Sequence, residues 1–492
     1  MIHFNYTDEI VARKEVIMSK SRLGKLSTMT FIGITCAFVG SIRNIPDVAA
    51  AGWTSIFYLV VGGFMFGAPV VLLAAEFGGM FPEDGGMELW VTNSLGKKWG
   101  FIVSWLLWVQ MFPAMVLIAS SLPPMLGIIV GDNSLGLNNV FNFAVIIIVY
   151  WIVTLLNLKF DMAKVCGNIG VWFGLYIPLV MMLVMGIAAT IKIGLDPHGA
   201  LGSFEWSKIV PDSKTRMSLQ YFTPIMFVFL GQEMSAVYIK RLEKPTKTYL
   251  IGAFSALIFL FILNTTNALM LANVVPAGKI QLDNTSQSVE IYTKILGLPE
   301  YMPKIFSAFV AIGLMVQVTA WATGPAKTVT SSARRGFYPP KLKFWKLNSL
   351  ELSTSVMLCQ AVIISCFAVL FLVVPGINQV ILVLANSAVI QYSIAYTIMA
   401  IAIVSLRRKH PEIKRPFKVG NNTVLYIVVL ILLLSIGVST IFTFLTSSFT
   451  NNIVVVTITC IMFGIPFIID KKRNINWESE VENLIKEDEE EE

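Results

Sequence analysis

The chain has 492 residues, of which 55% are hydrophobic and only 14% are charged, and its mean hydropathy is +0.72. A composition this apolar excludes an ordinary soluble enzyme and indicates a polytopic membrane protein. The formal charge of +7 does not indicate nucleic-acid binding, because that function needs a soluble basic domain, which this chain lacks.

Long apolar stretches recur along the whole chain. A membrane span needs about 20 mostly apolar residues to cross about 30 Å of hydrocarbon. The stretches are long and continuous rather than short and alternating, which favours helices over a β-barrel. We therefore predict an all-α polytopic membrane protein with twelve transmembrane helices. They lie at residues 27–51, 53–78, 99–130, 140–157, 166–190, 218–238, 249–275, 305–330, 353–374, 380–404, 423–446 and 453–469.

Basic residues predict the orientation, because Lys and Arg near span ends are retained in the cytoplasm. Residues 1–26 are polar and differ from a cleavable signal peptide, so they are predicted to be a cytoplasmic tail. With this end inside, the inner loops hold 19 basic residues and the outer loops hold 7. The inner loops are 79–98, 158–165, 239–248, 331–352 and 405–422. Both termini are thus predicted to be cytoplasmic, in the cell inner (plasma) membrane.

Residue types that often serve catalysis or metal binding are scattered. His3, His198 and His410 lie in the tail or in loops, which predicts neither a metal site nor a catalytic histidine pair. The cysteines form no CxxC pair and all lie in predicted spans, so we expect reduced structural thiols. They are Cys36, Cys166, Cys359, Cys366 and Cys460. We expect no enzyme activity, no metal and no cofactor.

Five ionisable side chains fall inside predicted spans: Arg43, Asp47, Glu76, Glu233 and Lys327. A charge in hydrocarbon costs several kcal/mol, so each is a functional candidate. Glu76 and Lys327 lie near the inner ends of their spans, where a side chain that reaches for water is the simpler account.

Two spans carry helix-breaking residues at their centres. The first contains VGSIRNIPD, where Pro46 removes a backbone donor and Gly40 lowers the cost of leaving the helix; either an unwound segment or a simple kink fits. There Arg43 and Asp47 are spaced i,i+4 and could pair. The sixth contains VFLGQEMSA, with a break predicted at Gly231.

Broken helices five spans apart are expected of an inverted five-helix repeat, in which the half-helix ends meet at the midplane and bind substrate. An N-terminal helix end favours a carboxylate, and a C-terminal end favours an ammonium. A zwitterion fits such a site.

Several motifs in order carry a family resemblance. They are SIRNIP, PEDGG, GQEMSA, WATGP followed by SSARRGFYPP, and RRKHPEIKRPF. In these segments the chain resembles the amino acid/polyamine/organocation superfamily of LeuT-type transporters, and within it is most similar to bacterial glutamate/GABA antiporters and related amino acid/amine exchangers. The resemblance implies a ten-helix core at 27–404, built from inverted repeats at about 27–190 and 218–404, with discontinuous helices 1 and 6. It also implies two peripheral helices within 423–469.

The resemblance further implies site residues. Substrate is expected to contact the backbone of the first broken helix, the backbone of the sixth, and a tryptophan whose alternative interpretation is simple packing. Arg43 is a candidate partner of Glu233 or of an acidic substrate, Gln110 is a candidate for the cavity wall, and Glu233 is a candidate for gating or proton sensing, its alternative being a structural carboxylate. The substrate-contacting positions are Val39, Gly40, Ser41, Phe227, Leu230, Gly231, Gln232 and Trp321.

The predicted function is antiport of an amino acid against another amino acid or its decarboxylated amine. A proton-coupled amino acid symporter is the alternative, and a non-transporting sensor is a third interpretation. The expected partners are small amino acid and amine solutes and the lipid bilayer. The acidic tail at 470–492 departs from the basic, histidine-containing tail of acid-resistance antiporters, and we expect it to be solvated.

Overall fold

The computed structural model describes residues 23–211, 221–276, 278–281, 284–373 and 377–491. The regular elements in these ranges are helices, and ten of them are long and apolar enough to cross a membrane. A bent pair, Thr28–Val39 with Ile42–Ala50, raises the number to eleven if it is one span. The chain is therefore an all-helical, multi-pass membrane protein.

The described first half of the chain contains seven helices of six or more residues, two of which are capped at their start by a local side chain. Ser27 accepts the Thr30 N–H at the start of the first helix, and Asn138 accepts the Val140 N–H at the start of the sixth. The helices are α1 (Thr28–Val39), α2 (Ile45–Ala50), α3 (Thr54–Met80), α4 (Met87–Leu95), α5 (Lys97–Val130), α6 (Asn139–Lys159) and α7 (Trp172–Ile193).

The second half begins with an irregular segment. The short helix α8 (Phe222–Met226) is followed by 3₁₀ turns at Phe227–Phe229 and Gln232–Arg241. The predicted residues 218–220 of this span lie outside the described residues. The remaining helices are α9 (Pro245–Val274), α10 (Gln287–Leu296), α11 (Met302–Arg334), α12 (Thr354–Val373), α13 (Ile377–Lys409), α14 (Asn422–Thr446), α15 (Phe449–Lys472) and α16 (Trp477–Glu491).

Glycine contacts bring three central segments into backbone contact. A Cβ built on Gly33 of α1 would lie 2.0 Å from the carbonyl oxygen of Gly167, in the π-helical turn before α7. A Cβ on Gly313 of α11 would lie 2.0 Å from the carbonyl oxygen of Gly174 in α7. Only glycine permits such close packing, which is common between membrane helices. By contrast, only 17% of the most apolar stretch of α15 is buried, against 72% in α5, so α15 is peripheral.

Ion pairs connect the basic loops to one another on one side of the helix bundle. Arg335, after α11, pairs with Glu88 of α4 at 2.5 Å, and Lys240 lies 3.9 Å from Asp84. Burial raises the pKa of the nearby Glu83 carboxyl, an effect that the Arg335 charge opposes.

Two further contacts complete this face. The Arg241 guanidinium bonds to Asp161 at 2.5 Å and to the Gly24 carbonyl at 3.1 Å, and Arg407 bonds to Glu76 at 2.5 Å. We call the surface formed by loops 79–98, 158–165, 239–248, 331–352 and 405–422 the basic face. These are the five loops that hold the excess of Lys and Arg.

The acidic C-terminal segment is a docked helix. Val481 of α16 is fully buried, Glu478 pairs with Lys97 at 2.5 Å, and Asp488 pairs with Lys346. The expectation of a solvated tail is therefore wrong for residues 477–491. Attraction to the basic face, together with apolar burial, holds the helix in place.

Candidate functional site

The first span is broken at its centre. Helix α1 ends at Val39, and Gly40 and Ser41 are extended, with ψ of 112° and 115°. A 3₁₀ turn at Ile42–Asn44 leads into α2, and the two halves meet at a bend of 43°. The break therefore removes the helical donor of the Phe38 carbonyl.

The second break is at Gly231. Its φ of +97° is left-handed, a conformation that disfavours any residue with a Cβ. A Cβ built there would lie 2.7 Å from Cζ2 of Trp321. The Gly231 N–H donates to the Tyr396 hydroxyl at 3.2 Å, so this backbone group is satisfied from outside its own segment.

Trp321 of α11 contacts both breaks. Its indole Nε1 donates to the Phe38 carbonyl at 2.8 Å, and its six-membered ring lies against Gly231. The indole is buried, and the Phe38 ring meets it edge-on at 5.8 Å. One side chain thus joins the end of α1 to the turn before the second 3₁₀ segment.

Glu233 is held by two tyrosines that the sequence reasoning missed. Its carboxylate accepts from the Tyr392 hydroxyl and, at 2.5 Å, from the Tyr396 hydroxyl. The two tyrosines are four residues apart on α13, so one helix face presents both. The available signal was the pair of tyrosines in QYSIAY, inside an otherwise apolar span. Because Tyr396 also binds the Gly231 N–H, α13 is coupled directly to the second break.

Two small hollows lie along α11 near Trp321, which lines neither of them. The Ser41 hollow has room for about one water molecule. It is lined by the first break, by α7 and by α11 residues that include Val310, Gly313 and Gln317. The Tyr238 hollow is smaller still, and it is lined by α1, by the segment before α7, by Tyr238 and by Thr319, Ala320 and Thr323 of α11. Since α11 ends at the basic face, the Tyr238 hollow is the nearer of the two to that face. Ala37 lines both hollows.

Some predicted residues come together at the first break. Gly40, Ser41 and Arg43 line the Ser41 hollow, and the Arg43 Nε donates to the Ser121 hydroxyl at 3.1 Å. Val39 is buried as the last residue of α1. This group can offer backbone groups and a guanidinium to a solute.

Predicted residues of the sixth segment have mixed placements. Gln232 is fully buried, and neither polar atom of its side chain has a hydrogen-bond partner among the described residues. Leu230 is half-buried, whereas the side chain of Phe227 lies outside the described part of the chain. Gln110 lines neither hollow, and its amide donates to the Leu107 carbonyl of its own helix at 3.1 Å.

The two charges expected to reach for water do not do so. Glu76 is 0% exposed and accepts from both Arg407 and the Val419 N–H. Lys327 is only 6% exposed. Both expectations are wrong. For Glu76 the reason is that the 405–422 loop folds over the end of the helix and supplies both partners of the carboxylate.

Discontinuous helices next to a cavity inside a membrane protein are typical of secondary transporters. The amino acid permease family model matches residues 26–469, and the chain belongs to this family, within the amino acid/polyamine/organocation superfamily. It is a membrane transport protein, from a family made up of transporters.

Characterised and uncharacterised relatives match most of the chain. An uncharacterized transporter of Legionella pneumophila is 26% identical over 411 residues, covering 82% of this chain and 86% of its own. A glutamate/gamma-aminobutyrate antiporter of Lactococcus lactis is 26% identical, covering 81% and 79%. A probable agmatine/putrescine antiporter of the same species is 24% identical, covering 80% and 83%. The predicted resemblance is confirmed.

Proposed function

We propose that the protein is an antiporter that exchanges an amino acid for another amino acid, or for its decarboxylated amine, by alternating access. The observation that carries the proposal is that Trp321 contacts both non-helical backbone segments, at Phe38 and at Gly231. Unwound peptide groups in the membrane are tolerated where they line a cavity, and there they can bind the charged ends of a zwitterion.

The proposed transport unit has twelve spans. The bent pair α1–α2 is the first span and the 222–241 segment the sixth, in a core at 27–404 built from inverted repeats at 27–190 and 218–404. Helices α14 and α15 are peripheral, in keeping with their exposure to surrounding lipid. The basic face is cytoplasmic, together with residues 1–26 and 470–492, because it carries the Lys and Arg excess. The membrane is the plasma membrane.

The substrate carboxylate is assigned to the backbone at Val39–Ser41 and the amino group to the backbone around Gly231. Trp321 then lies against the substrate side chain, and Arg43 contributes charge from the Ser41 hollow. Phe227, Leu230 and Gln232 flank the amino end, and Gln110 is a more distant member of the set.

Glu233 is assigned to gating. Its carboxylate links Tyr392 and Tyr396 to the segment that follows Gly231, so its protonation would alter both hydrogen bonds at once. This same arrangement supports the alternative function, a proton-coupled amino acid symporter in which Glu233 carries the proton.

Counterflow in proteoliposomes tests the proposal. Vesicles holding the purified full-length protein are loaded with one unlabelled amino acid, and uptake of a labelled one is measured at two pH values against a panel of amino acids and amines. Exchange predicts uptake only when an internal substrate is present. Uptake that needs no internal substrate but collapses with the proton gradient would favour the symporter. Binding without any uptake would favour a sensor.

A further inference from the structure

Lys327 of α11 is a buried lysine with no ion-pair partner in the part of the chain that the structure describes. Its side chain is 6% exposed, and Nζ has no hydrogen-bond partner among the residues that the structure describes. Buried arginines of the same region are paired: Arg241 with Asp161 and Arg407 with Glu76. Lys327 is held differently from both of them.

The contact that the structure does provide is weak for a buried charge. The ammonium lies 5.0 Å from the centroid of the Tyr238 ring. A desolvated cation–π contact contributes about 2 kcal/mol, whereas removing an ammonium from water costs several kcal/mol. An anion is therefore the partner that this position needs.

Lys327 does not line the Tyr238 hollow, but its ammonium lies against a ring that does, that of Tyr238. Side chains on a helix lean toward its N-terminus, which carries Nζ of Lys327 back toward Thr323. Tyr238, whose ring it faces, bonds to the Thr323 hydroxyl at 2.8 Å, and both residues line the hollow. The rest of the wall is mainly apolar, with Ala37 and Phe38 on the side of the first break. A solute moving past Tyr238 toward the basic face would come near the ammonium.

Resting on the proposed transport function, we infer that Lys327 is a binding site for a carboxylate of the solute in the state of the transport cycle in which the Tyr238 hollow has widened to admit it. The site selects solutes that keep a free carboxylate in addition to the one held at the first break. Dicationic amines are disfavoured there, because the fixed ammonium repels them. The substrate class is thus an amino acid with an anionic side chain rather than a diamine.

The test compares anionic and neutral solutes of the same shape. Counterflow by the full-length protein is inhibited with glutamate, glutamine or putrescine, in wild type and in Lys327→Met, Lys327→Arg and Lys304→Met. Lys304, at the other end of α11, is exposed, so Lys304→Met is the matched loss of charge. We expect Lys327→Met to lose tenfold or more of the preference for glutamate over glutamine. Lys327→Arg and Lys304→Met should retain that preference.

Binding is read separately from transport by the thermal stabilisation of detergent-solubilised protein by each probe. Lys327→Met should itself be as stable as wild type or more so, because an unpaired buried charge is removed. It should lose the extra stabilisation that glutamate gives over glutamine. A chloride series at constant ionic strength shows whether the bound anion is inorganic; a preference that disappears at high chloride in wild type alone supports an anion site at Lys327.

The inference is overturned if Lys327→Met keeps the wild-type glutamate preference in both assays, or if wild type has none. Failure of the proposed function looks different: wild type would be stabilised by glutamate but would show no counterflow with any probe.

Discussion

Gly231→Ala tests whether the second break is required. The substitution forces a Cβ into a backbone with φ of +97°, and this Cβ lies 2.7 Å from Trp321 Cζ2. The left-handed backbone costs about 1–2 kcal/mol for a residue with a Cβ. Overpacking adds about 1–3 kcal/mol. The total is about 2–5 kcal/mol, and even its lower end corresponds to about 30-fold in an equilibrium.

The assay measures both the KM of counterflow and the thermal unfolding of the purified variant. We expect KM to rise by at least about tenfold, since part of the cost is relaxed by movement of the indole. Combining Gly231→Ala with Trp321→Phe should remove the free-energy cost of overpacking but not the cost of the left-handed backbone. A double-mutant cycle separates the two costs. The matched control is Gly437→Ala in α14, where a Cβ meets nothing within 4 Å. Wild-type KM and Tm in Gly231→Ala would refute the reasoning.

Trp321→Ala should weaken substrate binding more than it weakens folding. It removes the proposed wall of the substrate site, which raises KM, and it leaves the Phe38 carbonyl unpaired, which lowers the stability by about 1–3 kcal/mol; counterflow and thermal unfolding measure the two effects. Arg241→Met should open the basic face, since Asp161 loses its guanidinium. Labelling by a membrane-impermeant thiol reagent should then rise at Cys166, which lines the Tyr238 hollow, and not at Cys36, which lines the Ser41 hollow. Val481→Asp should release α16, because a fully buried position receives a charge, and proteolysis of the C-terminus should speed up several-fold.

Each of these predictions has an outcome that would contradict it. An unchanged KM in Trp321→Ala would remove the indole from the substrate site. Equal labelling changes at Cys36 and Cys166 would mean that Arg241→Met loosens the whole bundle rather than one side. For the C-terminal helix, a Val481→Ala variant keeps the position apolar and should release α16 less than Val481→Asp. Equal proteolysis of the two variants would contradict docking through Val481.

The sequence was sufficient for features that depend on local chemistry. Apolar length predicts most spans to within a few residues, and Gly231 with the polar Gln232 and Glu233 beside it marks the second break. The partners of Glu233 were not predictable, since Tyr392 and Tyr396 are about 160 residues away and no local pattern indicates the pairing. Similarly, the burial of Glu76 depends on a distant loop that closes over it.

The C-terminal helix has an apolar face that its many acidic residues made hard to recognise in the sequence. Val481, Leu484 and Ile485 are spaced i, i+3 and i+4, which is typical of a helix with one apolar face. The acidic residues around them favour a solvated tail only if the segment is considered without the basic loops that it contacts in the folded chain. In the folded chain those loops supply the opposite charge, at Lys97 and Lys346.

The glycine contacts at Gly33–Gly167 and Gly174–Gly313 also constrain how the central segments can move. Because glycine has no side chain, no rotamer has to change when one of these segments rolls over the other. The contacts also leave no free space through which the helices could approach further. We therefore expect the segment that contains Gly167 and Gly174 to act as a pivot between α1 and α11, through which tilting of one helix is transmitted to the other.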